Sequence, residues 1–173
     1  KEQIRRNPVV ILSPEEQEIT KGGPAERRRF FDRVFSVVST DYLNTLQAYI
    51  KILKQRNAFL KQQKGYLSNQ KQDILTVWNQ QFATLSEQWG GLRQQTLVKI
   101  QDLAQKAYEN LVGGTETLEI IYNPRWLQEG LLSLLKEAER DEVRRGTTLI
   151  GPHRDDIEIL LDGMPARTHA SQG

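Results

Sequence analysis

The chain has 173 residues, of which 24 are Lys or Arg and 22 are Asp or Glu, so its formal net charge is only +2. It contains no cysteine and only two histidines, which excludes disulfides and leaves no ordinary ligand set for a zinc site. No apolar run approaches the roughly 20 residues that span a bilayer, and no signal peptide opens the chain. We therefore expect a cytoplasmic protein with no membrane partner and no bound metal.

The N-terminal third of the chain predicts a strand, a turn and a helix. The apolar run at residues 9–12 lies between two proline-containing turns and predicts a short buried strand. Pro24, after two glycines, predicts the start of a helix. This helix carries an apolar stripe at helical spacing: Phe30, Phe31, Val34, Phe35 and Val38.

Two apolar seams in the middle of the chain predict an antiparallel helical hairpin that turns near Gly65. The pair Gly90-Gly91 predicts a bend in the second helix. Trp78 and Trp89 lie on the second seam, which favours core positions over a base-stacking role. The first seam follows a cap at Asp41 and consists of Leu43, Leu46, Ile50, Leu53, Asn57 and Leu60. The second consists of Leu75, Trp78, Phe82, Leu85, Trp89 and Leu92, and resumes out of phase as Leu97, Ile100, Ala104, Ala107 and Leu111.

The C-terminal third predicts short strands around one more amphipathic helix. Gly113-Gly114 ends the long helix, and Asp162-Gly163 predicts a hairpin turn. The chain is thus expected to leave a strand-containing region, build a helical lobe and return to strands. The predicted elements are a strand at 118–122, a helix at 127–145, and strands at 147–150, 157–161 and 165–169.

Basic side chains are concentrated near the N-terminus, where a phosphate-binding face is one interpretation. Residues 1–64 contain 13 Lys or Arg and 7 Asp or Glu, whereas residues 65–173 contain 11 and 15. Arginine forks match phosphate oxygens, so the candidate DNA contacts are Arg27, Arg28, Arg29, Lys54 and Arg56. Packing of the arginine run inside the protein, and solvated flanks of a coiled coil, remain the alternatives.

Two further motifs stand near the C-terminus. The run Gly-Pro-His-Arg-Asp-Asp at 151–156 could place His153, Arg154 and Asp155 near a phosphate, or could form a buried network at a junction. Asp155 and Asp156 are poorly placed to share a metal ion, since adjacent strand residues point to opposite faces. The chain ends on Ser171, Gln172 and Gly173, a hydroxyl and small residues suited to phosphate at a helix N-terminus.

These motifs, in this order, resemble the RecF family of DNA recombination and repair proteins. The residues that carry the resemblance are 22–32, 53–57, 151–156 and 170–173. The resemblance implies an α+β fold, mainly α, in which an antiparallel helical hairpin is inserted into part of an ABC-type ATPase head. The implied parts are head strands at 1–23, the helical lobe at 24–145 and head strands at 146–173. Because Met164 is the only methionine, we expect a central fragment of a longer protein.

The resemblance also implies a function for the intact protein. RecF-like proteins bind ATP with Mg²⁺, form an ATP-dependent homodimer on double-stranded or gapped DNA, and help load the strand-exchange recombinase with RecO and RecR. Ser171, Gln172 and Gly173 would then contact nucleotide in trans as the signature motif. The chain has no phosphate loop and no acidic catalytic strand, so we expect no catalytic residues and no ATPase activity from it alone. The alternative is a non-enzymatic coiled-coil module that binds a protein partner.

Overall fold

The computed structural model describes the backbone of residues 18–169 and the side chains of residues 19–167. It is mainly helical with one small antiparallel sheet, which confirms the predicted fold class. The predicted strand at 9–12 lies outside the described residues. The elements in chain order are α1 (Glu18–Lys21), α2 (Pro24–Val38), α3 (Thr40–Gln62), α4 (Asn69–Val112), β1 (Leu118–Ile121), α5 (Arg125–Glu129), α6 (Leu131–Arg145), β2 (Glu158–Leu161), β3 (Met164–Pro165) and α7 (Ala166–His169).

The chain divides into two compact units. The first comprises Lys1–Thr40, Arg93–Asn123 and Asp155–Gly173, and the second comprises Asp41–Leu92 and Pro124–Arg154. The domain boundaries predicted at 23/24 and 145/146 stay a prediction. Within the part of the chain that the structure describes, no helix is both long and apolar enough to cross a membrane.

The first unit contains the sheet, with strands in the order β1-β2-β3. β1 pairs antiparallel with β2 from Leu118↔Leu161 to Ile121↔Glu158. The predicted hairpin turn is confirmed: Asp162 and Gly163 have φ angles of 49° and 73°, the positive values that a tight hairpin turn requires. The strand predicted at 165–169 is wrong beyond Pro165, because β3 is only two residues long and α7 follows it directly.

The second unit contains the predicted antiparallel helix pair. Tyr42 on α3 packs its ring 6.2 Å from that of Trp89 on α4, and further along α3 the ring of Tyr49 lies 5.5 Å from that of Phe82. Gly65, with φ of 89°, lies in the turn between the helices. Trp89 is buried as predicted, whereas Trp78 is half-buried.

Leu60 is buried as predicted, but the other five residues of the predicted α3 seam each lie one position after a buried residue. Ile50 is 54% exposed and Leu53 is only half-buried. The buried face instead includes polar side chains, which a search for apolar periodicity passes over. Its residues are Tyr42, Thr45, Tyr49, Ile52, Arg56 and Leu60. On α4 the predicted seam also ends early, since Leu97 is buried but Leu111 is 85% exposed.

Gly90 and Gly91 do not interrupt α4, which is assigned as one helix of 44 residues. Gly90 instead allows a close approach: a Cβ atom there would lie 2.4 Å from the ring of buried Trp126 and 3.3 Å from Leu127. A Cβ atom at Gly91 would meet nothing within 4 Å. The first glycine is therefore required by packing and the second is not.

We expect Gly90→Ala and Gly91→Ala to change stability in opposite directions. Gly90→Ala forces Trp126 out of its packed position and should cost about 1–3 kcal/mol. Gly91→Ala removes a helix-interior glycine without a clash and should stabilise by about 0.5–1 kcal/mol. Urea unfolding of the two variants measures both. Equal midpoints would contradict the close packing of Gly90 against Trp126.

Candidate functional site

Arg56 lies at the centre of a buried polar network in the second unit, and its side chain is fully inaccessible to solvent. Its Nη2 donates to Glu142 Oε2 at 2.5 Å, and its Nη1 donates to Thr148 Oγ1 at 2.7 Å. Nε and Nη2 both donate to Asn79 Oδ1, at 3.0 and 2.7 Å. The hypothesis that Arg56 contacts DNA is therefore corrected, because every arm of its guanidinium is used inside the protein.

The same network fixes the loop that follows α6. Asn57 Oδ1 accepts from both the backbone N–H and the hydroxyl of Thr148, each at 2.7 Å. Glu142 Oε1 accepts from the Leu149 N–H at 2.8 Å. The strand predicted at 147–150 is wrong for this reason: side chains from α3 and α6 bond the backbone groups that a neighbouring strand would bond.

The candidate residues at 153–155 do not form one cluster in the structure. His153 points into the second unit, where Nε2 lies 3.2 Å from the carbonyl oxygen of Thr148 and Nδ1 lies 2.6 Å from the hydroxyl of Tyr49. A carbonyl can only accept, so Nε2 carries a proton in the first bond. Asp155 belongs to the first unit.

Arg154 is the exposed member of this candidate group. Its guanidinium makes one long contact of 3.5 Å, from Nη2 to the Thr148 carbonyl oxygen. The turn beneath it is tightly built, because Gly151 has φ of 129° and a Cβ atom there would lie 2.9 Å from the ring of Phe82. The loop therefore presents one cation from a fixed backbone.

Arg27 and Arg28 are tied into the first unit. Arg27 forms a two-pronged ion pair with Asp156, from Nε to Oδ1 at 2.8 Å and from Nη2 to Oδ2 at 2.6 Å, and this bond raises the pKa of Arg27. Arg28 Nη1 donates to the Asp155 carbonyl oxygen at 2.5 Å, and burial lowers the pKa of Arg28. Both positions favour a packing role over contact with DNA.

Asp155 and Asp156 are held by different partners. The Asp155 carboxylate accepts from the Tyr122 hydroxyl at 2.7 Å, while Asp156 is paired with Arg27. Burial raises the pKa of Tyr122, so its hydroxyl stays protonated and donates. Among the side chains of residues 19–167, no group of three or more His, Cys, Asp or Glu is arranged to hold a metal ion.

Arg93 is a buried cation of the first unit that the sequence analysis did not single out. Its Nη2 lies 2.9 Å from Asp32 Oδ1, and its guanidinium lies 5.0 Å from the ring centre of Tyr122. Its spacing in the sequence indicates a buried position, since Arg93 follows Trp89 by four residues and precedes Leu97 by four on the buried face of α4. An arginine on such a face indicates a buried ion pair.

Further exposed cations lie on α2, on α3 and in the turn after α3. Arg29 is the exposed member of the 27–29 run, and α3 exposes three lysines with a fourth in the turn after it: Lys51, Lys54, Lys61 and Lys64. α3 has no acidic residue after Asp41. None of these five cations takes part in an ion pair within the described part of the chain. The signature candidates Ser171, Gln172 and Gly173 lie outside the described residues.

Comparison with known proteins identifies similar chains, although no family model matches. The chain is 36% identical over 174 residues to a DNA replication and repair protein RecF from Geobacter metallireducens, and 37% identical over 175 residues to that from Alkaliphilus oremlandii. Each match covers 95% of this chain and 46% or 47% of the relative, so the chain spans about half the length of the curated relatives it matches.

Two solved structures resemble the chain as well. One is described as the recombination mediator protein RecF-ATP in the RecFOR pathway, with a TM-score of 0.82. The other is the same protein with ATPrS, with a TM-score of 0.83. Both are 31% identical to this chain, and each match covers 95% of it and 46% of the solved chain.

We expect Arg56→Met to destabilise the protein strongly and Lys54→Met to have little effect. The first change leaves Glu142 buried without its cation, which should cost about 3–5 kcal/mol. Lys54 is exposed, and its replacement should change stability by less than about 0.5 kcal/mol. Chemical unfolding measures both. A small loss in Arg56→Met would show that water reaches Glu142 and that the network is not closed.

Proposed function

Because the chain belongs to the RecF family, we propose that it is part of an ATP-dependent DNA-binding protein of recombinational repair and replication-fork maintenance. The proposal rests on the names of its relatives and on the nucleotide-bound solved neighbours. The intact protein would bind ATP with Mg²⁺ and form a nucleotide-gated homodimer on duplex or gapped DNA. It would help load the strand-exchange recombinase together with RecO and RecR, with Ser171 and Gly173 contacting nucleotide held by the other subunit.

The acid-free, lysine-bearing face of α3 is the observation that supports DNA binding best. From Lys51 to Lys61 a helix advances about 15 Å, a length over which duplex DNA presents several phosphates on each strand. Lysine ammonium groups neutralise phosphates without reading base edges. We therefore propose that this face binds the DNA backbone without sequence preference. Arg29, on α2 in the first unit, is a separate candidate contact.

Replacing Lys51, Lys54 and Lys61 together by Gln should weaken duplex binding and reduce its dependence on salt. Each lost phosphate contact removes about 0.9 from the slope of log affinity against log salt, so we expect a loss of about 2–3 in that slope. Fluorescence anisotropy of the full-length protein at several salt concentrations measures it.

The matched control removes the same charge from exposed lysines of α4 and α6, with Lys99, Lys106 and Lys136 replaced by Gln. The control should keep most of the wild-type salt slope. An equal loss in both triple variants would mean that net charge alone, and not the face of α3, determines binding.

Arg154 is our candidate for a second phosphate contact, on nucleotide or on nucleic acid. Its neighbour His153 is bonded to Thr148 and Tyr49, and both carboxylates that follow have partners. The guanidinium of Arg154 is exposed and can form a charge-assisted bidentate contact with phosphate oxygens. The proposed role of Arg154 relies on the RecF-like function only to say whether the phosphate comes from nucleotide or from nucleic acid.

Arg154→Gln should lower affinity about tenfold for the ligand that supplies the phosphate, because a hydrogen bond to a charged group is lost. One arm titrates ATP without DNA and the other titrates duplex DNA without nucleotide, so the affected arm identifies the source. Arg154→Lys keeps the charge and should retain part of the affinity. The control is Arg140→Gln, an exposed change on α6. Unchanged affinity in both arms would show that Arg154 does not contact phosphate. That result would not bear on the lysines of α3.

A further inference from the structure

Among the residues that the structure describes, β1 is an edge strand, because the sheet has the order β1-β2-β3. One side of β1 pairs with β2, and the backbone groups on its other side would ordinarily be open to another strand. These outward groups come from alternate residues of the chain around β1: Glu116, Leu118, Ile120 and Tyr122.

Glutamine side chains of α4 bond this outer edge. Gln101 Nε2 donates to the Leu118 carbonyl oxygen at 2.5 Å, and Gln101 Oε1 accepts from the Ile120 N–H at 3.0 Å. Gln105 Nε2 donates to the Glu116 carbonyl oxygen at 3.0 Å, and its Oε1 accepts from the Leu118 N–H at 2.6 Å.

The helix and the strand match in spacing. Four residues of α-helix advance about 6 Å, and two residues of β-strand advance about 6.6 Å, so Gln101 and Gln105 meet successive outward residues of β1. Each glutamine amide bonds the carbonyl of one residue and the N–H of the residue two further on. A residue of an adjacent parallel strand bonds the same two groups.

We propose that Gln101 and Gln105 act as a surrogate strand that closes the edge of β1 against pairing with a second copy of this chain. The partner excluded is another β1, since an open edge strand is a template for pairing with another chain and identical apolar segments can stack as strands. β1 has the apolar Leu, Ile and Ile around a single glutamate, and Ile121 is 37% exposed. Without the two amides, this edge presents unpaired backbone groups beside apolar side chains.

The test replaces both glutamines by methionine, which keeps their length and helix preference but removes the amide, in the full-length protein without nucleotide. Hydrogen exchange followed by NMR should show the Leu118 and Ile120 amides exchanging about tenfold faster at low protein concentration. The Glu119 and Ile121 amides, in the strand paired with β2, should keep their protection. Analytical ultracentrifugation should show concentration-dependent association of the double variant.

The matched control is Gln88→Met with Gln95→Met, two exposed positions of α4 that add the same apolar surface. It should stay as monomeric as the wild type. If the double variant does not fold, Gln105→Met alone releases the Leu118 amide and gives the same comparison. A double variant whose mass and Leu118 exchange both match the control overturns the proposal, and so does faster exchange without any association.

Discussion

The second unit depends on the burial of one cation, Arg56, against one anion, Glu142. Both side chains have no accessible surface, and removing two such charges from water costs several kcal/mol each. That cost is offset only if the remaining hydrogen-bonding groups are satisfied, and Asn79 and Thr148 satisfy them. Since the partners come from α3, α4, α6 and the loop after α6, the ion pair fixes where that loop lies.

This constraint separates the arginines of the chain from its lysines. Arg27, Arg56 and Arg93 each form planar, directed bonds to carboxylates inside a unit. Arginine suits such sites because its guanidinium offers five donors in a rigid fork. The lysines of α3 remain at the surface, where an ammonium group can exchange water for phosphate at little cost. A count of basic residues therefore overstates the positive charge available at the surface, and the exposed lysines give a closer measure of it.

The sequence predicted the parts of the fold that local chemistry determines. Helix periodicity located α2, α3, α4 and α6, and Asp162-Gly163 located the hairpin. Non-local contacts account for the errors. Thr147 and its neighbours favour a strand by composition, yet Asn57 and Glu142 bond the loop from distant positions. The seam of α3 was misread because the core positions include the polar Thr45 and Arg56, which a search for apolar residues does not select. Of the candidate basic residues, Arg29, Lys54 and Arg154 are exposed and stay candidates for phosphate contact. The pattern of apolar residues in the sequence does not distinguish them from the buried Arg56.

Side chains take over backbone pairing in both units. The strands have only four, four and two residues, so strand pairing alone leaves many backbone groups unpaired. Asn, Gln and carboxylate side chains on the helices supply the missing partners, at Thr148 and Leu149 in one unit and along β1 in the other. A primary amide carries one acceptor and two donors, and can therefore replace a peptide group. At Gln101 and Gln105, glutamine in the long helix thus has a structural role, because an apolar residue at either position would leave two backbone groups along this edge without their side-chain partner.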